Sequence, residues 1–305
     1  MAVGRLTHSL TQCSLTHSLR LVGQVGISVS AMWTEPADPR DPADVEAATR
    51  NMEFDLGLMV DPILGIGNYP SPASLLAMDH DDRQQIKGTA DFLGVGVYVT
   101  PRVQHLDVVT AHVGIQADKH LTLQLSPGNR SSLYNPSGVR KLLRHIRDRY
   151  NNPEVLITET GISKQETARG GPTRSQLIDM YAGEVLKAIE LDGFHVTGFT
   201  VRSLLNSFEL NGYQDTWGLF SVNFTDPQRH RAAKPSADHY RMLIENNGFF
   251  KPDAMPHVTS THAPVTHAPR HPTVSCSSDR AVEPMTSMSS AAIVFVVFEF
   301  ISFYQ

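Results

Sequence analysis

The chain has 305 residues, of which 41% are hydrophobic and 19% are charged, and its formal net charge at pH 7 is −5. This composition is typical of a globular protein with a sizeable apolar core, and the length corresponds to one large or two ordinary domains. No block of lysine and arginine is interleaved with aromatic residues, so the sequence does not favour a nucleic-acid partner.

The N-terminal segment, residues 1–21, is predicted to be low-complexity sequence without regular structure. Leu6-Thr7-His8-Ser9-Leu10 is repeated from Leu15 to Leu19, and no apolar core or cleavage site of a signal peptide is present. Cys13 lies in this segment, and the second cysteine, Cys276, lies near the other end of the chain. The two cysteines define neither a disulfide framework nor a metal site.

The middle of the chain, residues 22–250, begins with a strand–helix–strand pattern. Val25–Ser30 is a short apolar run that predicts a strand. Asp41 followed by Pro42 predicts the start of a helix, because aspartate caps free backbone N–H groups and proline is tolerated at the first helical position. Phe92–Val99 is a second, nearly continuous apolar run and predicts the next strand.

After a long connection the alternation continues. A helix is predicted that ends at Asn151-Asn152-Pro153, and its apolar residues at helical spacing are Val139, Leu142, Leu143, Ile146 and Tyr150. Val155–Ile157 predicts the third strand. The next helix is marked by Leu177, Met180, Tyr181, Ala188 and Leu191. Val196–Leu205 predicts the fourth strand.

Strands that alternate with helices predict right-handed βαβ units and a parallel sheet covered by helices, which is an α/β fold. In such sheets ligands bind at the carboxyl ends of the strands. The polar residues just beyond those ends are Glu35, Tyr98, Glu159 and Glu209. Gly94-Val95-Gly96 lies within a strand and does not open a helix, so a dinucleotide cofactor is disfavoured.

The C-terminal part of the chain has two segments of different composition. Residues 251–290 are rich in proline, threonine, serine and histidine and are predicted to be a disordered tail. A metal site is disfavoured because the spacing of the tail histidines gives them no common face; they are His257, His262, His267 and His271. Residues 291–305 form a short hydrophobic segment, below the roughly 20 apolar residues of a membrane span. A weak anchor and a sticky tail both stay open.

The segment Leu156-Ile157-Thr158-Glu159-Thr160-Gly161 places a carboxylate where a buried strand ends. Burying even a neutral polar group without a partner costs roughly 2–7 kcal/mol. Glu159 is therefore either paired structurally or placed at the strand mouth to do chemistry. In the second case a partner carboxylate is expected.

Four segments in this order resemble glycoside hydrolase family 1, the retaining β-glycosidases, and most of all its lactase and klotho-like branch. The family's fifth strand and following helix resemble VGISVSAMWTEPADPRDPADVEAATRNMEFDLGLMVDPI, and its sixth strand resembles IKGTADFLGVGVYVT. Its seventh strand, with the nucleophile motif, resembles PEVLITETGIS, and its eighth strand and closing helix resemble the segment 198–249. The resemblance implies a partial (β/α)8 TIM barrel, strands 5–8, over residues 22–250.

The resemblance also implies an activity and roles for three residues. The activity is hydrolysis of β-glucosides or β-galactosides with retention, and Glu159 is the nucleophile that forms a glycosyl-enzyme. Tyr98 falls on a tyrosine whose hydroxyl touches the nucleophile, with core packing as the alternative. Glu209 falls on a glutamate that accepts hydrogen bonds from two sugar hydroxyls. No cofactor and no metal is implied, because both catalytic groups are carboxylates.

The sequence departs from the family pattern around these residues. Arg202 and Leu210 stand where the family usually has tryptophans that stack on and edge the sugar, so the glycone pocket loses apolar surface. Gly96 stands for an asparagine, Val97 for a tyrosine and Thr160 for the asparagine after the nucleophile. Together these changes indicate a relaxed or decayed site.

The mechanism also requires an acid/base carboxylate about 5–5.5 Å from the nucleophile. In the family it lies in an Asn-Glu-Pro motif at the end of the fourth strand, and this sequence has no such motif. Thr34-Glu35-Pro36 resembles it, but its surroundings match the fifth strand, so Glu35 is expected to be structural. We therefore expect no acid/base residue and half a barrel with two open strand edges, a liability for folding alone.

Three interpretations follow from the sequence. The first is a retaining β-glycosidase whose catalysis is impaired, and the second is a non-catalytic klotho-like module that binds a glycan or a protein. The third is a truncated fragment without function. The family and two glycosylation sequons, Asn129-Arg130-Ser131 and Asn223-Phe224-Thr225, indicate secretion or extracellular membrane attachment, although no signal peptide is recognised.

Overall fold

The structure is a computed structural model that describes residues 24–65, 80–107, 118–124, 130–209, 212–249 and 294–295. Its strands are β1 (Gly26–Ser30), β2 (Glu35–Pro36), β3 (Phe92–Gly96), β4 (Arg102–His105), β5 (Leu121–Gln124), β6 (Val155–Glu159), β7 (Val196–Phe199), β8 (Phe220–Val222), β9 (Arg231–Ala233) and β10 (Val294–Phe295). Its α-helices are α1 (Pro42–Met52), α2 (Leu58–Leu64), α3 (His80–Ile86), α4 (Ser137–Tyr150), α5 (Lys164–Ala168), α6 (Arg174–Asp192) and α7 (Pro235–Asn246). A π-helical turn, Glu53–Gly57, joins α1 to α2.

The main sheet has five strands in the order β1-β3-β6-β7-β10, and every neighbouring pair is parallel. Its first four strands are neighbours in the same order as in the chain, and helices lie in each connection between them. This arrangement confirms the predicted βαβ units. It also brings the carboxyl ends of β3, β6 and β7 to one edge of the sheet.

Strand β10 changes one edge of the sheet. Val294 pairs with Gly198 and Phe295 pairs with Phe199, so β10 lies parallel to β7 on its outer side. The expectation of an open edge at β7 is therefore wrong, because a piece of the C-terminal hydrophobic segment occupies it. The rest of that segment, and the tail 251–290, lie outside the described residues.

The helix boundaries follow the predicted capping signals. The Asp41 side chain accepts a hydrogen bond from the backbone N–H of Ala43 at 3.0 Å, and Pro42 is the first residue of α1. Helix α4 ends at Tyr150, and Asn151 follows in the left-handed conformation at φ 57°. Asparagine tolerates this conformation better than most residues, which explains why the helix stops there.

Two predicted strands are shorter in the structure than in the sequence. Strand β3 ends at Gly96 instead of Val99, and β7 ends at Phe199 instead of Leu205. The register between β3 and β6 shifts between Val95 and Gly96, so the regular ladder stops there. Apolar residues continue beyond the last paired residue of each strand because the chain stays buried there. Burial alone does not make a strand.

The core lies between the sheet and its helices. The predicted apolar face of α4 is buried throughout, with exposures from 0% to 5% for Val139, Leu142, Leu143, Ile146 and Tyr150. An ionic cluster ties α2 to α4. Asp61, which is 1% exposed, accepts a hydrogen bond from the Arg149 Nε at 2.9 Å and one from the Tyr150 hydroxyl at 2.6 Å.

Two absences hold for the described part of the chain. None of its helices has the length and apolar character needed to cross a bilayer. No group of three or more histidine, cysteine or acidic side chains is placed there to hold a metal ion. The four tail histidines and both cysteines, Cys13 and Cys276, are outside the described residues.

Candidate active site

The centre of the site is a hydrogen-bonded pair at the end of β6. Glu159 is the last residue of β6, and Tyr98 follows β3 by two residues. The Tyr98 hydroxyl donates a hydrogen bond to the Glu159 Oε2. From α6, the Tyr181 hydroxyl donates to the Tyr98 backbone oxygen at 2.8 Å and fixes the Tyr98 backbone. The structure thus brings together two of the residues selected from the sequence.

A second carboxylate of the site belongs to an ion pair. The Arg202 Nη2 lies 2.6 Å from the Glu209 Oε2, with the two side chains 20% and 7% exposed. The Ser207 hydroxyl donates to the other oxygen, Oε1 of Glu209, at 3.2 Å. Both carboxylate oxygens therefore already accept a hydrogen bond from a neighbouring side chain, which leaves only their remaining lone pairs for any further donor.

Trp217 contacts Tyr98 of the first pair and Arg202 of the second pair, and it was not selected from the sequence. Its ring lies edge-on to Tyr98, with ring centroids 5.8 Å apart and an interplanar angle of 89°. The Arg202 guanidinium carbon lies 5.3 Å from the Trp217 ring centroid, over the ring. The signal in the sequence was a tryptophan, one of only two in the chain, within the segment that resembles the eighth strand.

Arg202 interacts electrostatically with the acidic groups around it. Burial of the Arg202 side chain acts to lower its pKa, but the opposing effects of Tyr98, Glu209 and Glu159 outweigh burial and hold that pKa above its ordinary value. Arg202 therefore interacts electrostatically with both carboxylates of the site. A guanidinium at this position lacks the stacking surface of a tryptophan. It also introduces a permanent positive charge.

The other departures from the family pattern lie in different surroundings. Val97 is 3% exposed and belongs to the core, and Thr160 is fully buried with a hydroxyl that has no hydrogen-bond partner among the described residues. Gly96 faces the site, because a Cβ added there would lie 3.6 Å from the Glu159 Cβ. Leu210 lies outside the described residues.

Glu35 lies in separate surroundings. It accepts hydrogen bonds from the Trp33 Nε1 at 2.8 Å and from the Lys141 Nζ at 2.5 Å. It also lines a cavity of about 290 Å³ together with Arg102 and Lys141. Both donors contact its Oε1, and the structural role of Glu35 stays a prediction.

Gly161, which follows Glu159 by two residues, is expected to tolerate no side chain. A Cβ there would lie 2.6 Å from the Arg202 backbone oxygen, and a backbone atom cannot move aside cheaply. We expect Gly161→Ala to lower the free energy of unfolding by about 1–3 kcal/mol, as measured by urea denaturation. The matched control is Gly183→Ala in α6, where the nearest atom lies 3.8 Å away and alanine favours the helix. Equal stability of the two variants would contradict this prediction.

The chain is similar in sequence to known proteins. The sequence model of "Glycosyl hydrolase family 1" matches residues 6–249 and so begins within the predicted low-complexity segment. "Cytosolic beta-glucosidase" of Homo sapiens is 37% identical over 247 residues, which are 74% of this chain and 53% of that protein. "Lactase/phlorizin hydrolase" of Homo sapiens is 32% identical over 246 residues, which are 74% of this chain and 13% of that protein.

Solved structures give the same match. The crystal structure of the beta-glucosidase from Trichoderma harzianum has a TM-score of 0.65 at 27% identity and covers 76% of this chain and 55% of that one. A GH1 beta-glucosidase from the fungus Humicola insolens, in complex with glucose, has a TM-score of 0.66 at 26% identity and covers 76% and 54%. The chain thus spans about half the length of the beta-glucosidases it matches, and its fold is a partial (β/α)8 barrel.

Proposed function

Because this chain belongs to glycosyl hydrolase family 1, we propose that it acts on β-linked glycosides through a covalent glycosyl-enzyme formed on Glu159. The observation that carries the proposal is the hydrogen bond from the Tyr98 hydroxyl to Glu159 at the carboxyl end of β6. Carboxyl ends of barrel strands are where catalytic residues lie in this fold. Among the described residues Tyr98 is the side-chain donor to this carboxylate, through Oε2, and the other oxygen is left for attack.

The proposed step is a displacement at the anomeric carbon. A Glu159 oxygen forms a bond to that carbon while the bond to the leaving-group oxygen breaks, and the electron pair leaves with that oxygen. Tyr98 orients the carboxylate, Trp217 offers an apolar ring to the sugar and Glu209 accepts its hydroxyls. Water later hydrolyses the glycosyl-enzyme and restores Glu159. No described residue is assigned the proton transfer to the leaving group, so we expect efficient reaction with leaving groups that need no proton.

A non-catalytic binding module of klotho type is the second candidate. The observation that favours it is the occupied state of Glu209, whose two oxygens already accept hydrogen bonds from Arg202 and Ser207. In this case the pocket would bind a glycan or a protein without attacking it. The two candidates differ in whether Glu159 becomes covalently modified.

The test is intact-mass analysis after incubation with 2,4-dinitrophenyl 2-deoxy-2-fluoro-β-glucoside. Dinitrophenolate departs without acid assistance, so covalent labelling depends only on whether a nucleophile is positioned to attack the anomeric carbon. We expect a mass increase of one fluoro-sugar and its location, by peptide mapping, on Glu159. Glu35→Gln should be labelled at the same rate as the unchanged protein, because Glu35 pairs with Lys141 in separate surroundings. A folded protein that stays unlabelled would reject the enzyme and favour the binding module.

A further inference from the structure

Arg174, the first residue of α6, is a buried arginine that contacts two loops. It is 8% exposed. Its Nη2 donates hydrogen bonds to the backbone oxygen of Ile162 at 2.7 Å and to that of Thr216 at 3.2 Å. These bonds join the chain after β6 to the chain before β8. Both acceptors are neutral carbonyl groups, so they satisfy two donors without supplying a counter-charge for the guanidinium.

Two side-chain atoms at this junction lack a hydrogen-bond partner. The Arg174 Nη1 and the Thr216 Oγ1 are both buried, and neither has a partner in the part of the chain that the structure describes. The two atoms belong to one junction, because the backbone oxygen of Thr216 already contacts the same guanidinium. Buried polar atoms of native proteins nearly always have a partner, and where the protein supplies none, an ordered water or an ion does.

Positive charge at the junction distinguishes an ion from a water. Among the described residues no carboxylate pairs with Arg174, and burial lowers the pKa of its guanidinium to about 10, so it stays protonated at pH 7. Lys234 donates to the Asn206 Oδ1 at 2.9 Å, and its pKa is lowered to about 8, first by burial and then by the charges of Arg174 and Lys164. A water would accept a hydrogen bond but leave this charge uncompensated, whereas an anion answers both needs.

We propose that Arg174 and Thr216 bind a small inorganic anion of the size of chloride, through the Arg174 Nη1 and the Thr216 hydroxyl. Both groups can donate to an anion, and the hydrogen bond from the guanidinium is charge-assisted. A monatomic halide suits two buried donor atoms better than a phosphate, which presents several oxygens that each need a partner. The site does not include Glu159, so the proposal goes beyond the glycosidase function and does not depend on it.

The experiment is thermal unfolding of the full-length chain in sodium chloride or sodium bromide, with sodium methanesulfonate keeping the ionic strength constant. A ligand that binds only the folded protein raises the unfolding temperature with the logarithm of its concentration. We expect a rise of about 3 to 5 °C for every tenfold increase in halide above its dissociation constant. An unfolding temperature that ignores halide would overturn the proposal.

Thr216→Val is the sharpest variant because valine keeps the shape of the side chain. If no anion binds, the change removes a buried hydroxyl without a partner and should leave the unfolding temperature equal or higher. If an anion binds, the change removes one of its two donors. The halide concentration that gives a particular rise should then increase at least about tenfold. A halide response that Thr216→Val leaves intact would overturn the proposal.

Two further variants complete the series. Arg174→Lys keeps a positive charge but loses the planar pair of nitrogens, so it should weaken the halide response as well. If Arg174→Lys does not fold, Thr216→Val still decides the matter. The matched control is Thr49→Val, which makes the same chemical change on the exposed side of α1 and should keep the full halide response.

Anomalous scattering from bromide locates the ion in crystals of the full-length chain. We expect a bromide peak within hydrogen-bond distance of the Arg174 Nη1 and the Thr216 Oγ1. An ordered water at that position without a bromide signal would overturn the proposal. Fluoro-glycoside labelling is a separate outcome. A protein that binds bromide but stays unlabelled would reject the enzyme and keep the anion site, and a labelled protein without bromide would do the reverse.

Discussion

Replacing Glu159 by glutamine is expected to abolish covalent labelling by the fluoro-glycoside. Glutamine keeps the size of the side chain and can still contact the Tyr98 hydroxyl, but its amide oxygen is a very poor nucleophile. The rate of labelling should fall by at least about 10³-fold, which is the scale on which removal of a nucleophile reduces catalysis. Intact-mass spectrometry over time measures this rate.

A matched control, Glu154, lies just before the same strand. Glu154 precedes β6 at its opposite end, where it accepts hydrogen bonds from Thr197 at 2.9 Å and from Gln24 at 3.3 Å. Glu154→Gln makes the same chemical change far from the strand mouth and should leave the labelling rate unchanged. Persistent labelling of Glu159→Gln on another residue would show that the nucleophile has been misassigned.

Replacing Asp61 by asparagine is expected to cause the largest loss of stability. Asp61 is 1% exposed and accepts hydrogen bonds from Arg149 and Tyr150, so its loss leaves a partly buried guanidinium without its counter-charge. Breaking a buried ion pair from one side costs about 3–5 kcal/mol. The hydrogen bond that Arg149 donates to Asp61 raises the pKa of Arg149. Burial, followed by the hydrogen bond that Tyr150 donates to Asp61, raises the pKa of Tyr150.

The measurement is urea denaturation of Asp61→Asn beside Asp148→Asn. Asp148 pairs with Arg147 at 2.7 Å on the same helix, but its side chain is 57% exposed. An exposed pair of this kind contributes about 0–1 kcal/mol, so the control should unfold close to the unchanged protein. A loss below about 1 kcal/mol in Asp61→Asn would mean that water replaces the lost carboxylate.

Much of the scaffold could be predicted because local signals and tertiary structure agree. Asp41 and Pro42 start α1 as predicted, and Asn151 ends α4 in the conformation that asparagine tolerates. The contact of the Tyr98 hydroxyl with Glu159 was expected from the family resemblance, and the parallel pairing of β3 with β6 explains it, since parallel strands bring their carboxyl ends together.

The electrostatics of the site could not be predicted in the same way. Arg202 was interpreted only as the loss of a tryptophan, because its pairing with Glu209 arises in an irregular segment that no periodicity describes. Trp217 was missed for the same reason, since it contacts Tyr98 across two different loops. The predicted strands extend past the observed strand ends, because apolar residues continue beyond Gly96 and Phe199 in the buried segments that follow.

The pairing of β10 with β7 has a consequence for the dynamics of the sheet. β10 lies far along the chain from β7, and closing so long a loop costs entropy that grows with the logarithm of its length. Among the described residues two pairs join these strands, against five between β1 and β3. The border at Gly198 and Phe199 should therefore open locally and exchange its amide hydrogens well before the centre of the sheet. While it is open, β7 offers its backbone to a strand of another molecule, so self-association should begin there.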